Sequence, residues 1–142
     1  VPLITKIQHY MGYDLLDGGI SDPIPIEKSL ADGNTFHVIV LTRNKGYQKE
    51  PFGHTAFLKA AFRKYPAVAE AMRTRHESYN RQLALCEKLE KAGRAVIIRP
   101  LKPLNVSRTK AEVPALLALH DEGLYEGRAA LGSIEEMLSI KL

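Results

Sequence analysis

An α/β fold is predicted by three features of this 142-residue sequence. The run Phe36-His37-Val38-Ile39-Val40-Leu41-Thr42 is apolar on both faces and rich in β-branched residues, the composition of a central strand in a parallel sheet. Ala95-Val96-Ile97-Ile98 has the same character and is cut off by Pro100 and Pro103. Between them lie stretches with helical spacing of apolar residues, and parallel strands need crossover connections of that length. With Tyr13 to Asp17 as a further strand, the expectation is a partial parallel sheet of about three strands, flanking helices and a helical carboxyl-terminal tail. Residues 1–110 form the α/β part and residues 111–142 the tail.

Taken in order, Tyr13 to Asp17 is too short for a helix and is closed by Gly18-Gly19, so it reads as a strand ending in a turn. Pro23 and Pro25 stiffen the exit, and Ile26 to Ala31 makes a short helix stopped by Gly33. After the Phe36–Thr42 strand, Arg43 to Gly53 is a polar loop containing Gly46, Pro51 and Gly53. Thr55 to Lys64 places Phe57, Ala61 and either Leu58 or Phe62 on one side of a helix. Pro66 suits the first turn of a longer helix with an apolar face of Val68, Met72, Tyr79, Leu83 and Cys86. Glu77/Arg81 and Glu87/Lys91 are spaced as pairs along it, and Gly93 ends it. The tail is expected as Val113 to His120, a break at Gly123, then Leu124 to Leu131 and Ile134 to Ile140.

Composition is that of an ordinary globular domain, with no tract long enough to span a bilayer and no signal-like start. One cysteine, Cys86, cannot form an internal disulfide, which fits a reducing compartment, so a cytoplasmic location is expected. The chain opens at Val1 on VPLITKIQ without an initiator Met, as a piece of something longer would. Net charge is +4 but unevenly spread. Residues 36–110 carry 16 basic against 5 acidic side chains, whereas the segments on either side are net acidic. Such a block attracts phosphate-bearing partners, and its plain alternative is a set of solvated helix faces.

Chemistry is best sought at Asp17. In parallel α/β sheets, reactive groups collect beyond the carboxyl ends of strands. A carboxylate held there and partly shielded from water can be tuned toward a general base. Gly18 and Gly19 would let a substrate approach the backbone closely. The alternative is that Asp17 caps a turn, a common use of Asp before Gly. Asp22 could share the site but, preceding Pro23, reads first as a turn former. His9, His37, His54, His76 and His120 show no ligand spacing, and with a single Cys no zinc pattern exists, so no metal or other cofactor is expected. His54 could line a pocket near Asp17; Cys86 lies on an apolar helix face, where packing is its expected use.

The stretch Tyr13-Asp14-Leu15-Leu16-Asp17-Gly18-Gly19-Ile20-Ser21-Asp22-Pro23-Ile24-Pro25-Ile26 resembles the Asp-Gly-Gly or Asp-Gly-Ala segment of patatin-like phospholipases. HVIVLTRNKGY, VIIRPLKPLNVSR and LLALHDEGLYEGR resemble the bacterial branch of that family, so the likeness covers most of the chain. It implies an acyl hydrolase with a Ser-Asp dyad, in which the aspartate matching Asp17 activates a serine carried by a Gly-x-Ser-x-Gly elbow. No Gly-x-Ser-x-Gly and no Gly-rich oxyanion loop occurs in these residues, and Ser133 after Gly132 lacks the required context. The resemblance therefore implies the carboxyl-terminal portion of such an enzyme, with Asp17 as base, Gly18 and Gly19 beside the substrate, and no esterase activity alone. Its substrate would be a lipid or acyl ester, and the basic block could lie peripherally against an anionic membrane surface. The alternative is a non-catalytic basic module that binds a polyanion or an anionic lipid surface. No nucleic-acid motif is present, so no nucleic-acid partner is expected.

Overall fold

The computed structural model describes residues 7–103 and 112–139. The opening VPLITK, the Leu104–Arg108 end of one resembling segment, the boundary at residue 110 and Ile140 lie outside the described residues. The architecture is mixed α/β: a small parallel sheet, flanking helices and a helical carboxyl-terminal segment. The chain forms two compact units, Val1–Lys28 with Gln48–Ala84, and Ser29–Tyr47 with Leu85–Leu142.

The first unit begins with an antiparallel hairpin of β1 (Gln8–Tyr10) and β2 (Tyr13–Leu15), paired Gln8↔Leu15, His9↔Asp14 and Tyr10↔Tyr13. Its two-residue loop has φ 49° at Met11 and φ 81° at Gly12. Positive φ at both positions is what a type I′ turn requires to match strand twist. Tyr13 to Leu15 is therefore not the third parallel strand: among the described residues it pairs only within this hairpin. A partner one tight turn away costs far less loop entropy than one across a crossover. Beyond β2 a 3₁₀ turn, Gly18–Ile20, drops Ile20 into a core with Leu58, Phe62, Ala69 and Met72.

Helix α2 (Thr55–Ala61) supplies Leu58 to that core, and Phe62 follows at its end. The expected Phe57/Ala61 face is not the buried one: the protein buries Leu58 and Phe62 together and leaves Phe57 and Ala61 exposed, because the core with Ile20 and Met72 lies on the Leu58 side. Helix α3 (Pro66–Lys91), which the boundary between the units divides at Ala84, buries Ala69, Met72, Gln82, Leu83, Cys86 and Leu89. The spaced pairs expected along α3 do not form: Arg81 pairs with Glu27, and Glu87 with Arg99.

In the second unit β3 (His37–Val40) and β4 (Ala95–Ile98) pair in parallel, His37 opposite Ala95 and Val40 opposite Ile98. Both strands are entered the same way. At the end of α1 (Ile26–Ala31), Gly33 has φ +85° and Asn34 N–H donates to Ser29 O at 3.2 Å. At the end of α3, Gly93 has φ +69° and Arg94 N–H donates to Leu89 O at 2.9 Å. These are paired left-handed glycine caps, each satisfying a helix-end carbonyl while reversing the chain into a strand. Arg94 also joins the two connections by donating from Nε to Thr35 O at 3.1 Å.

One face of β3 is covered, through His37 and Ile39, whereas Val38 and Val40 stay 49% and 70% exposed. The expectation of a strand buried on both faces thus holds for one face among the described residues. The tail is α4 (Val113–Ala129) and α5 (Leu131–Ser139). Gly123 does not break α4; the bend falls at Ala130, and α5 buries Met137. No helix among the described residues is long and apolar enough to cross a membrane.

His37 makes this unit pH-sensitive. Its ring is buried, Nδ1 lies 3.1 Å from Ser29 Oγ, and Nε2 has no partner among the described residues. Burial, reinforced by the nearby Arg94 charge, holds its pKa below the ordinary 6.5. The folded state therefore favours neutral His37, and the stability this contributes above the ordinary pKa is lost as pH falls through the lowered one. Thermal unfolding between about pH 7 and about pH 5 should show a falling midpoint, and His37→Gln should flatten that fall.

Candidate functional site

The Asp17 turn is built by local chemistry. Asp17 precedes the 3₁₀ turn with φ −52° and ψ 117°, and its Oδ1 accepts from Gly19 N–H at 2.9 Å, the geometry of an N-cap. Ser21 N–H and Asp22 N–H both donate to Gly18 O, and Ser21 Oγ donates to the same oxygen at 3.1 Å. The carboxylate is solvent-exposed, so the described residues do not supply the shielding expected of a base. The capping role weighed from sequence is thus present in the geometry.

Helix α3 holds the rest of the segment. Arg75 donates from Nε to Gly19 O. A Cβ on Gly19 would lie 3.2 Å from both Arg75 Nη2 and Asp17 Oδ1, so the glycine leaves the space in which guanidinium and carboxylate meet the backbone. Gly18 has open space around it. One helical heptad further on, buried Gln82 accepts at Oε1 from Ile24 N–H at 3.0 Å and donates from Nε2 to Asp22 Oδ1 at 2.6 Å. Asp22 is accordingly a tether of the loop. Arg81 pairs with Glu27 at 3.3 Å just beyond it and holds the Glu27 carboxyl below its ordinary range.

Upstream, Asp14 accepts from Tyr65 OH at 3.0 Å and is hydrogen-bonded to His9 across the hairpin. The Tyr65 bond, then the His9 bond, hold its carboxyl below the ordinary carboxylate range. His54 is exposed ahead of α2 and meets the Phe52 ring edge-on, with centroids 6.3 Å apart. Cys86 is fully buried, and burial pushes its thiol up to about 11, which fits packing rather than nucleophilic chemistry. Among the described residues, no group of three or more His, Cys, Asp or Glu side chains is placed to hold a metal ion.

Sequence reasoning missed Arg75 and Gln82. The signal was there: two polar residues seven apart on a helix share one face, and Gln82 interrupts the apolar stripe beside Leu83.

Residues 65–139, more than half of the chain, match the family described as Domain of unknown function (DUF6363). The chain belongs to that family. The DUF6363 match contains all of α3, β4, α4 and α5, and so includes Arg75 and Gln82, but it begins after the Asp17 turn. No curated protein and no solved structure matches the chain.

Two outcomes follow from this geometry. Gln82→Ala should lower the urea unfolding free energy by about 1–3 kcal/mol, since it strands the buried Ile24 N–H; an unchanged midpoint would mean the loop is held by something else. Cys86 should resist a thiol-specific disulfide reagent in the native protein and react on unfolding; rapid native labelling would contradict its burial.

Proposed function

We propose that this chain is the carboxyl-terminal portion of a serine acyl hydrolase of the patatin-like kind, acting on a lipid or acyl ester and supplying Asp17 as the base of a Ser-Asp dyad. The observation that carries this reading is an exposed Asp17 carboxylate on a turn that α3 fixes from outside, through Arg75 on Gly19 O and Gln82 on Ile24 N–H. The resemblance of Tyr13 to Ile26 to the Asp-Gly-Gly segment of those enzymes gives that carboxylate its role. In this reading the exposed carboxylate is reachable by a serine, and the α3 contacts hold its turn in place.

In this reading Asp17 takes the proton of the serine hydroxyl as its oxygen attacks the ester carbonyl, and returns it to the departing alcohol. Water then repeats the exchange and releases the acid. Gly18 and Gly19 border the substrate. The serine and the oxyanion donors come from outside these 142 residues. The basic middle of the chain would face anionic head groups at a membrane surface, with the protein otherwise cytoplasmic.

The second reading, a non-catalytic basic module, is favoured by the 16-to-5 excess of basic side chains over residues 36–110. The two separate cleanly. The 142-residue chain alone should not turn over a nitrophenyl ester, whereas the longer polypeptide carrying a Gly-x-Ser-x-Gly elbow should. There, Asp17→Asn should cut kcat by about 10²-fold or more with an unchanged unfolding midpoint. Full activity in that variant sinks the base assignment, and a longer polypeptide with no such elbow favours the binding module.

A further inference from the structure

Lysine and arginine side chains are common on helix surfaces, and most are simply solvated. Two of them here stand over an apolar hollow. A cleft of about 310 Å³ opens where α2 meets the first turns of α3. Phe62, Pro66 and Ala69 give it an apolar floor, and Phe62 and Ala69 are themselves buried members of the core. Thr55, Lys59, Arg63 and the Glu70–Arg73 pair complete the lining.

The charges on that lining do not cancel. Glu70 is consumed by Arg73, which donates from Nε to Oε2 at 2.9 Å and from Nη2 to Oε1 at 2.6 Å. Those bonds hold the Glu70 carboxyl below its ordinary range, with the Lys59 charge adding in the same direction. Lys59 and Arg63 remain, and neither has an ion-pair partner among the described residues. An apolar hollow lined by two cations that have no ion-pair partner among the described residues selects one kind of occupant. The tail must be apolar to replace water on Phe62, Pro66 and Ala69; the head must be anionic. That volume is at the small end of the roughly 300–1,000 Å³ range of small-molecule pockets.

We infer that this cleft is a binding site for a small, free, single-chain amphiphile with an anionic carboxylate or phosphate head. Lys59 and Arg63 hold the head, and the tail lies on Phe62, Pro66 and Ala69. This assignment does not depend on the role of Asp17, because every lining residue belongs to α2, α3 or the turn between them.

The test titrates the 142-residue chain with octanoate, octyl phosphate, octanol and inorganic phosphate, followed by calorimetry and by the thermal unfolding midpoint. Octanoate and octyl phosphate should bind and raise the midpoint, as any ligand of the folded state does. Octanol and inorganic phosphate should each bind far more weakly. Lys59→Gln with Arg63→Gln, both at exposed positions, should weaken octyl phosphate about tenfold or more, whereas Lys91→Gln should not. Equal binding of octanol or of phosphate, or an unaffected double variant with native circular dichroism, overturns the assignment. So does absence of binding by both amphiphiles. Sedimentation with phosphatidylglycerol vesicles covers the remaining source: binding to them, lost in the double variant, without binding of the free amphiphiles replaces a ligand cleft with a membrane-facing patch.

Discussion

One buried amide organises the segment that matters most. Pro23 and Pro25 carry no N–H, so Ile24 holds the only backbone donor among those three residues, and Ile24 is buried. A buried donor without a partner is costly, and among the described residues no strand pairs with it. Gln82 meets the need from α3, and its other end takes up the Asp22 carboxylate. Asn80 treats a second extended stretch the same way, accepting from Lys49 N–H at 2.8 Å and donating to Lys49 O at 3.1 Å. Helix α3 thus does with side-chain amides what a neighbouring strand does with its backbone, and the irregular segments of its unit are fixed by it.

That arrangement explains which parts of the fold were legible in the sequence. Features set by a few adjacent residues could be read directly: Gly33 and Gly93 ended their helices, Ala95 to Ile98 formed a strand, and Pro66 opened α3. Features set by distant partners could not. Arg81 sits four residues from Glu77, yet pairs with Glu27, fifty-four positions away. The hairpin was missed for a different reason. Met is a poor signal for a turn, because positive φ there is tolerated only under constraint, and the Met11-Gly12 loop lacks the Asn or Asp that usually marks such a turn. With it went the parallel partner assumed for Tyr13 to Leu15.

At the candidate site, sequence spacing located the turn but not what holds it. Asp17, Gly18 and Gly19 lie together because they are consecutive, and the cap from Asp17 to Gly19 is the local bond that Asp-Gly favours. Arg75 and Gln82 reach the same segment from α3, whose Ala69 and Met72 share a core cluster with Ile20. The DUF6363 match divides the site along this line. It takes in the helix that clamps and leaves out the turn that is clamped. Arg75 and Gln82 thus lie within the family match, whereas Asp17 lies in a segment outside it.

The cleft and the turn draw on the same core side chains. Phe62 and Ala69 floor the cleft, and both are in one core cluster with Ile20, the residue that follows Gly19. Close-packed interiors have little slack, so a tail pressed onto Phe62 and Ala69 bears on the cluster to which Ile20 belongs. Ile20 is rooted in the 3₁₀ turn, where its N–H donates to Asp17 O at 3.0 Å. An occupant that binds the ordered form of this core stabilises the turn by the same free energy, since both are parts of one folded unit. The cationic cleft on α2 and α3 and the Asp17 turn therefore share one core cluster, which joins them through Ile20.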